Sequence, residues 1–398
     1  MTDAPVLVAG GGIGGMAAAL AVARRGFAVE VFEQAAEIGE IGAGVQLAPN
    51  AFAAFDALGV GERARARAVY NDRMVMMDAV DGSVVAEMPL GEAFRARFGN
   101  PYAVMHRADV HGSLVEGARA EERISIRTST RIERFAQDAS GVTAFDAAGG
   151  EHRGAALIGC DGVKSNVRGQ LFGDPVRVSG HVVYRAVVDT AEFPQDLSWN
   201  AAAVWAGPNC HLVHYPLRGG EQYNVVVTFH SRQTETWGVR EGSREEVLSY
   251  FEGICGRAHQ LLELPKSWKR WATADREPIA RWSEGAVTLL GDAAHPLLQY
   301  LAQGACMALE DAVTLGAAID AADAGGDDWP AIFRRYELAR VARTARVVLM
   351  TREMGRLYHA GGVERLVRNQ LWKGRSPERF YDALEWLYGW TAQRCLVG

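Results

Sequence analysis

Two kinds of apolar pattern alternate along this chain, and their order predicts its architecture. Val6-Leu7-Val8-Ala9 is a short unbroken apolar run, the signature of a strand covered on both faces. Six residues, Gly10 to Gly15, interrupt it, and Met16-Ala17-Ala18-Ala19-Leu20 then continues as a helix. Residues 27 to 32 read as a second strand, so the chain opens with a βαβ unit. Residues 107 to 120 place Val110, Leu114, Val115 and Ala118 at helical spacing. Short strands and turns alternate from 124 to 160 and end in the apolar run Ala155-Ala156-Leu157-Ile158-Gly159. From about 176 to 228 the pattern changes to strands with polar residues interspersed, at 181–188, 210–215 and 223–228. Such strands suit a sheet that covers a pocket. The buried-strand pattern returns at Ala286-Val287-Thr288-Leu289-Leu290, and from Met307 onward the chain is mostly helical. The prediction is an α/β fold in which one domain is interrupted by a second, β-rich one and completed by a helical C-terminal region. The stretch 321–328 reads as an exposed loop between helices.

The first turn carries chemistry. Gly10, Gly12 and Gly15 form a Gly-x-Gly-x-x-Gly turn between strand and helix. Gly10 makes the tight turn, Gly12 lets a pyrophosphate approach the backbone, and Gly15 lets helix and strand pack closely. The helix N-terminus offers free amides and a partial positive charge. Glu33, at the end of the second strand, stands where a ribose hydroxyl is held. The ligand of this turn is a dinucleotide, FAD or NAD.

Composition narrows the partners. The chain has 398 residues, 48% hydrophobic and 23% charged, with a formal charge of -6. That balance is ordinary for a globular protein and argues against a nucleic-acid surface. No apolar run approaches the roughly 18 residues of a membrane span. With strand one beginning within a few residues, no signal peptide is expected, and the expected location is cytoplasmic. The five cysteines, Cys160, Cys210, Cys255, Cys306 and Cys395, are scattered and show no Cys-x-x-Cys pair, which fits reduced thiols. His211 and His214 lie three apart on a predicted strand and so point to opposite faces; no metal site is expected.

Two later motifs select FAD. In Gly159-Cys160-Asp161-Gly162 a strand delivers Asp161, Gly162 permits close backbone approach, and Ser165 can start a helix. In Leu290-Gly291-Asp292-Ala293-Ala294-His295-Pro296 a buried strand delivers Asp292, placed to accept a hydrogen bond from a polyol hydroxyl. With only one nucleotide-binding glycine turn, NADH or NADPH must bind transiently over a shared surface.

With these three motifs, His106-Arg107-Ala108-Asp109-Val110 and Gln303-Gly304-Ala305-Cys306-Met307, the chain resembles the single-component FAD-dependent aromatic-ring hydroxylases over nearly its whole length. The resemblance implies a Rossmann-like FAD-binding domain drawn from 1–75, 100–175 and 272–345. It implies a substrate domain from 76–99 and 176–271 and a helical region over 346–398. It implies that Glu33 binds the adenosine ribose, Arg107 the pyrophosphate region and Asp292 the ribityl chain, with Asp161 and Gly162 shared between FAD and the nicotinamide nucleotide. It further implies non-covalent FAD, NADH as the favoured reductant, O2, and a small hydroxylated aromatic acid hydroxylated through a flavin C4a-hydroperoxide. The reading admits a homodimer.

Within that frame the substrate residues are read from position. Most members place proline where this chain has Leu298 and Gln299; Gln299 adds two donors and an acceptor there. Gly304 opens a helix whose amides can face the flavin pyrimidine. His211 and Tyr215 share one strand face with Val213. A neutral imidazole with a pKa near 6.5 suits deprotonation of a phenol, so His211 is expected to accept or relay the phenolic proton. Tyr215 and Gln299 are expected to orient the ring. The stretches around Tyr215-Pro216-Leu217-Arg218, Asp275-Arg276-Glu277-Pro278 and Leu298-Gln299-Tyr300 resemble those of family members that act on 3-hydroxybenzoate, and that resemblance implies its para-hydroxylation as the expected reaction. Salicylate or 6-hydroxynicotinate as substrate, or a non-hydroxylating FAD reductase or oxidase, are the alternatives.

Overall fold

The computed structural model describes residues 4–39, 44–322 and 328–396; most of the loop expected at 321–328 lies outside the described residues. The buried-strand patterns, with the more polar strand Ile124–Arg127 at one edge, assemble into one five-stranded parallel sheet, in the order Val287–Leu289, Ala156–Gly159, Val6–Ala9, Val29–Phe32, Ile124–Arg127. All four residues of the central strand Val6–Ala9 are buried, as are all of Ala156–Gly159. Helices cover the sheet, which is why its inner strands are almost wholly apolar, whereas the edge strand Ile124–Arg127 alternates half-buried and exposed residues. The register aligns Ala9 with Phe32 and with Gly159, and Gly159 with Leu289. Because the strands are parallel, their carboxyl ends share one edge. Gly10, Glu33, Asp161 and Asp292 therefore emerge together, where open α/β sheets bind ligands.

The interspersed pattern forms an eight-stranded sheet, in the order Gly238–Gly242, Trp268–Asp275, Arg177–Asp189, Gln222–His230, Cys210–Leu217, Ala201–Gly207, Arg73–Asp78, Val84–Pro89. One face is apolar: Tyr184, Trp205, Leu212, Val225, Val227 and Phe229 form a separate core with the helices Arg244–Tyr250 and Gly256–Glu263. The other face turns toward the parallel-sheet part and carries the polar residues.

Helix Trp329–Tyr358 runs 30 residues without a break. Asp328 caps it, accepting from the Ala331 amide at 3.1 Å. Along it, Arg340 reaches Asp311 and Arg352 reaches Asp275, so one rigid rod ties both parts together. Helix Pro377–Tyr388 closes the structure, setting Tyr381 and Tyr388 edge-on to Phe94 and Phe98. Among the described residues no helix is long and apolar enough to cross a membrane.

Candidate active site

The glycine turn is fixed by close approach. Gly10 has φ +106°, and a Cβ there would lie 2.3 Å from the Cys160 carbonyl oxygen. A Cβ at Gly15 would lie 1.9 Å from the Gly10 carbonyl oxygen. Gly12 stands at the N-cap of helix Ile13–Ala23 in extended conformation, without a side-chain cap, and no acid occupies the first turn. The first amides of that helix are thus left for an anionic ligand. Glu33 accepts from the amides of Gly11 and Ala35, both at 2.8 Å, which holds its carboxylate beside the turn.

Asp161 is built to receive a donor. Its Oδ2 accepts from the amides of Asn166 at 2.7 Å and Val167 at 3.3 Å, while Oδ1 is buried without a partner. Burial raises its pKa, against the stabilising hydrogen bonds. A ligand hydroxyl would remove that deficit. Ser165 caps the following helix, accepting from the Arg168 amide at 2.9 Å. Gly162, with φ +78°, and Gly304, at the start of helix Gly304–Asp320, both have open space where a Cβ would stand. Close packing therefore does not explain Gly304; an open cradle at a helix N-terminus does fit a flavin. Asp292 lies exposed on the turn Gly291–Ala293. Arg107 opens helix Arg107–Arg119, near enough to Arg185 that its positive charge helps burial depress the Arg185 pKa.

A buried ionic network supports these turns and was not foreseen from the sequence. Arg340, Glu310 and Asp311 are all 0% exposed, with Arg340 2.6 Å from each carboxylate. Asp311 Oδ2 also accepts from the Gly291 amide at 3.0 Å and pairs with His295 at 2.5 Å. Glu310 and Gln303 both accept from Asn50, at 2.7 and 2.9 Å. The Gly291-Asp292 turn and the Gln303-Gly304 helix start are thus held by one cluster, and His295 acts within it. The only sequence signal was the excess of acid and base inside otherwise apolar helices.

The polar face of the eight-stranded sheet forms a grid. Register sets His211 opposite Thr228, Val213 opposite Val226, and Tyr215 opposite Asn224. On the far side, Ala206 and Val204 flank His211 and Val213. His211 and Tyr215 therefore share a face, separated by an apolar middle. Arg185 stands on the same face beside Val226, whereas Tyr184 points into the other core. Gln299 joins the grid from the loop below: its Nε2 donates to Thr228 Oγ1 at 3.4 Å. Asn224 Oδ1 accepts from the Gly44 amide at 3.2 Å, and its Nδ2 is buried without a partner. Asn224 and Thr228 were not singled out from the sequence, although period-two alternation from Tyr223 would have found them.

His211 is 2% exposed. Its Nδ1 lies 2.8 Å from Nε2 of His359, at the end of the long helix. Burial, with a smaller contribution from His181, pushes its pKa down to about 3. The expected basicity near 6.5 is thus corrected: this imidazole is firmly neutral because its surroundings cannot solvate a cation. His214 points into the aromatic core near Phe193, Trp205 and Tyr223, on the opposite face from His211.

The sequence profile of the FAD binding domain family matches residues 3–351. The chain is 70% identical over 395 residues to a 3-hydroxybenzoate 6-hydroxylase of Polaromonas naphthalenivorans, covering 99% of this chain and 98% of that one. It is 59% identical over 390 residues to a 3-hydroxybenzoate 6-hydroxylase of Klebsiella oxytoca, covering 98% of each. Among solved structures, Klebsiella pneumoniae HpxO complexed with FAD and uric acid superposes with a TM-score of 0.83 at 25% identity, over 99% of this chain and 97% of that one. A full-length match, together with an edge where all three nucleotide motifs converge, places the chain in the FAD-dependent aromatic-ring monooxygenases.

Proposed function

We propose that the chain hydroxylates 3-hydroxybenzoate para to its hydroxyl, giving 2,5-dihydroxybenzoate, with NADH as reductant and O2 as oxygen source. The observation that carries this reading is the grid: polar residues at both ends of one sheet face and an apolar middle, facing the FAD edge. The 70% identity to a protein named for this reaction supports it. His211 and Tyr215 are separated by four residues of strand, roughly 13 Å of backbone. A ring with one polar group at each end suits side chains reaching inward from those two positions.

Glu33, Arg107, Asp161, Gly162, Asp292, Gly304 and the turn of Gly10, Gly12 and Gly15 would hold FAD. When bound, FAD supplies the redox chemistry, accepting electrons from NADH and delivering one atom of O2 to the ring. His211 takes the phenolic proton at Nε2, because Nδ1 is engaged by His359. The phenolate so formed is electron-rich at its ortho and para carbons. Gln299 orients the phenol end beside Thr228. Tyr215, with the free Nδ2 donor of Asn224, holds the carboxylate end. Burial pushes the Tyr215 hydroxyl pKa up, so it remains a donor. With both ends fixed, only the para carbon beside the carboxylate-bearing carbon is presented.

The test is product identity. The holoenzyme, given NADH and a panel of hydroxybenzoates, should convert 3-hydroxybenzoate to 2,5-dihydroxybenzoate by chromatography. Formation of 3,4-dihydroxybenzoate instead, or catechol from 2-hydroxybenzoate alone, overturns the substrate assignment and leaves the monooxygenase class intact.

A further inference from the structure

Four histidines lie in a row from the buried grid to the surface. His211 is buried and its Nδ1 meets His359 Nε2 at 2.8 Å. His359 is half-buried and stacks on His181, with centroids 5.4 Å apart and an interplanar angle of 30°. His181 meets His230 edge-on at 5.1 Å, and His230 is exposed. The His359 ring is held firmly. Its backbone carbonyl accepts from the Asn209 amide at 2.9 Å, in the turn just before the His211 strand. Its own amide donates to Gly355. The end of the long helix is thus clamped to the hairpin that carries His211.

We infer that His359 is the positioning and relay residue through which the proton taken by His211 leaves the site. This rests on the reading of His211 as acceptor of the phenolic proton. In the resting pair, His211 carries its proton on Nδ1 and donates it to the bare Nε2 of His359, whose own proton is on Nδ1. The substrate O–H breaks and the His211 Nε2–H forms. The His211 Nδ1–H breaks as the His359 Nε2–H forms. His359, which is only half-buried, then gives up its Nδ1 proton to solvent water. Two neutral imidazoles remain, each in its other tautomer, and the reverse shift restores them when the product is reprotonated. Burial explains why a relay is needed: a cation on His211 is not solvated there and is opposed by His181. A His359 fixed by a stacked ring and a backbone clamp keeps the His211 Nε2 aimed at the sheet face.

The holoenzyme, mixed anaerobically with 3-hydroxybenzoate in weak buffer with an indicator dye, should release about one proton per site, as one neutral phenol becomes a phenolate. H359Q keeps a hydrogen-bonding group but cannot relay. Its release should slow by about 10²–10⁴-fold, the usual range for such proton transfer, and added imidazole should restore part of it. On the unaltered enzyme, the release rate in mixtures of H2O and D2O should bow downward, because more than one proton moves. Wild-type release in H359Q, no release from the unaltered enzyme, or a linear isotope dependence overturns the relay. H211A separates the two claims: if H211A still releases the proton as the wild type does, the underlying reading of His211 fails; if H211A loses release while H359Q keeps it, only the relay fails.

Discussion

Gln299 and Thr228 join the two halves of the site: the loop after the Gly291-Asp292 turn donates through Gln299 Nε2 to Thr228 Oγ1, directly across the strand pair from His211. The bond is long, 3.4 Å, and half-buried, so it steers more than it stabilises. Its loop is held from below as well. Tyr300 bonds to His181, and Ala302 adopts the left-handed conformation at φ +52°. A non-glycine residue there carries strain that the surroundings must hold in place. The loop is therefore positioned from the sheet, from the long helix and from the start of helix Gly304–Asp320 at once.

Replacing Gln299 with leucine removes the only donor this loop offers to Thr228 while keeping its volume. FAD content should stay at the wild-type level, since the Gln299 side chain bonds to Thr228, whereas Glu33 and Asp161 are held by backbone amides of their own turns. Product formed per NADH consumed should fall, and the hydroxylation rate should drop on the order of 10²-fold, the cost of roughly 1 Å of misplacement. Thr228→Val should give a smaller loss in the same direction. Full coupling in both variants, measured by product chromatography against NADH oxidation, would show that this contact does not orient the ring.

Asp161 should control FAD affinity. Its buried Oδ1 lacks a partner in the polypeptide alone, so a ligand hydroxyl there gains the full value of a charged acceptor. Asp161→Ala or Asp292→Ala should weaken FAD binding by about 1.5–3 kcal/mol each, read from flavin fluorescence on titration. Of the two, Asp292 should cost less, because it is exposed and screened. An Asp161→Ala protein that retains flavin at wild-type affinity places the ligand hydroxyl elsewhere.

The parallel sheet and its ligand edge were legible because buried parallel strands are written as unbroken apolar runs, and Gly10 and Gly15 admit no other residue without a clash. The shared face of His211, Val213 and Tyr215 followed from the two-residue period of a strand. What could not be read were contacts made across distant sequence. His359 meets His211 from 148 positions away, and Arg340 meets Asp311 from 29 positions away in a different helix. No local periodicity encodes either pairing. The depressed basicity of His211 was hidden for the same reason: it depends on what covers the strand, and the cover comes from the far end of the chain.

Arg340 is the most exposing place to test the buried network. It sits between two carboxylates that are fully buried, and removing it takes away the one cation they share, leaving Asp311 only His295 and Glu310 only Arg343 as ion-pair partners. Arg340→Met should therefore destabilise the fold by about 3–5 kcal/mol in urea titration. Burial raises the Asp311 pKa, but the charges of His295 and Arg340 outweigh that and hold it below its ordinary value. This contribution is thus complete above the unfolded carboxylate pKa, near 4, and is lost as pH falls through the lower folded value. In Arg340→Met the loss should begin at higher pH. A variant with unchanged urea midpoint and acid limb would mean the network is neutral in stability.

The histidines predict a second acid sensitivity, well above the carboxylate range. Burial pushes His211 and His214 down to about 3 and His181 to about 4. Folded, all three stay neutral as pH falls from 6.5, while the unfolded chain takes up their protons. A depressed histidine pKa stabilises the fold above the unfolded value and loses that stabilisation as pH drops toward the folded one. Burial holds His359 below its ordinary value as well, so with four such groups the unfolding free energy should fall by up to about 5 kcal/mol per pH unit between roughly 5.5 and 4.5. His214 allows this to be tested without disturbing the site, because it faces the aromatic core, and both its ring nitrogens lack partners. His214→Phe replaces an unsatisfied ring with an apolar one of similar shape among Phe193, Trp205 and Tyr223. It should raise stability at pH 7.5 by about 1–3 kcal/mol, the cost of leaving buried polar atoms unsatisfied. It should also flatten the acid slope by about 1.4 kcal/mol per unit, the share of one histidine. Urea midpoints taken at pH 7.5, 5.5 and 5.0 read both effects, and an unchanged slope in His214→Phe would show that His214 is protonated in the folded state.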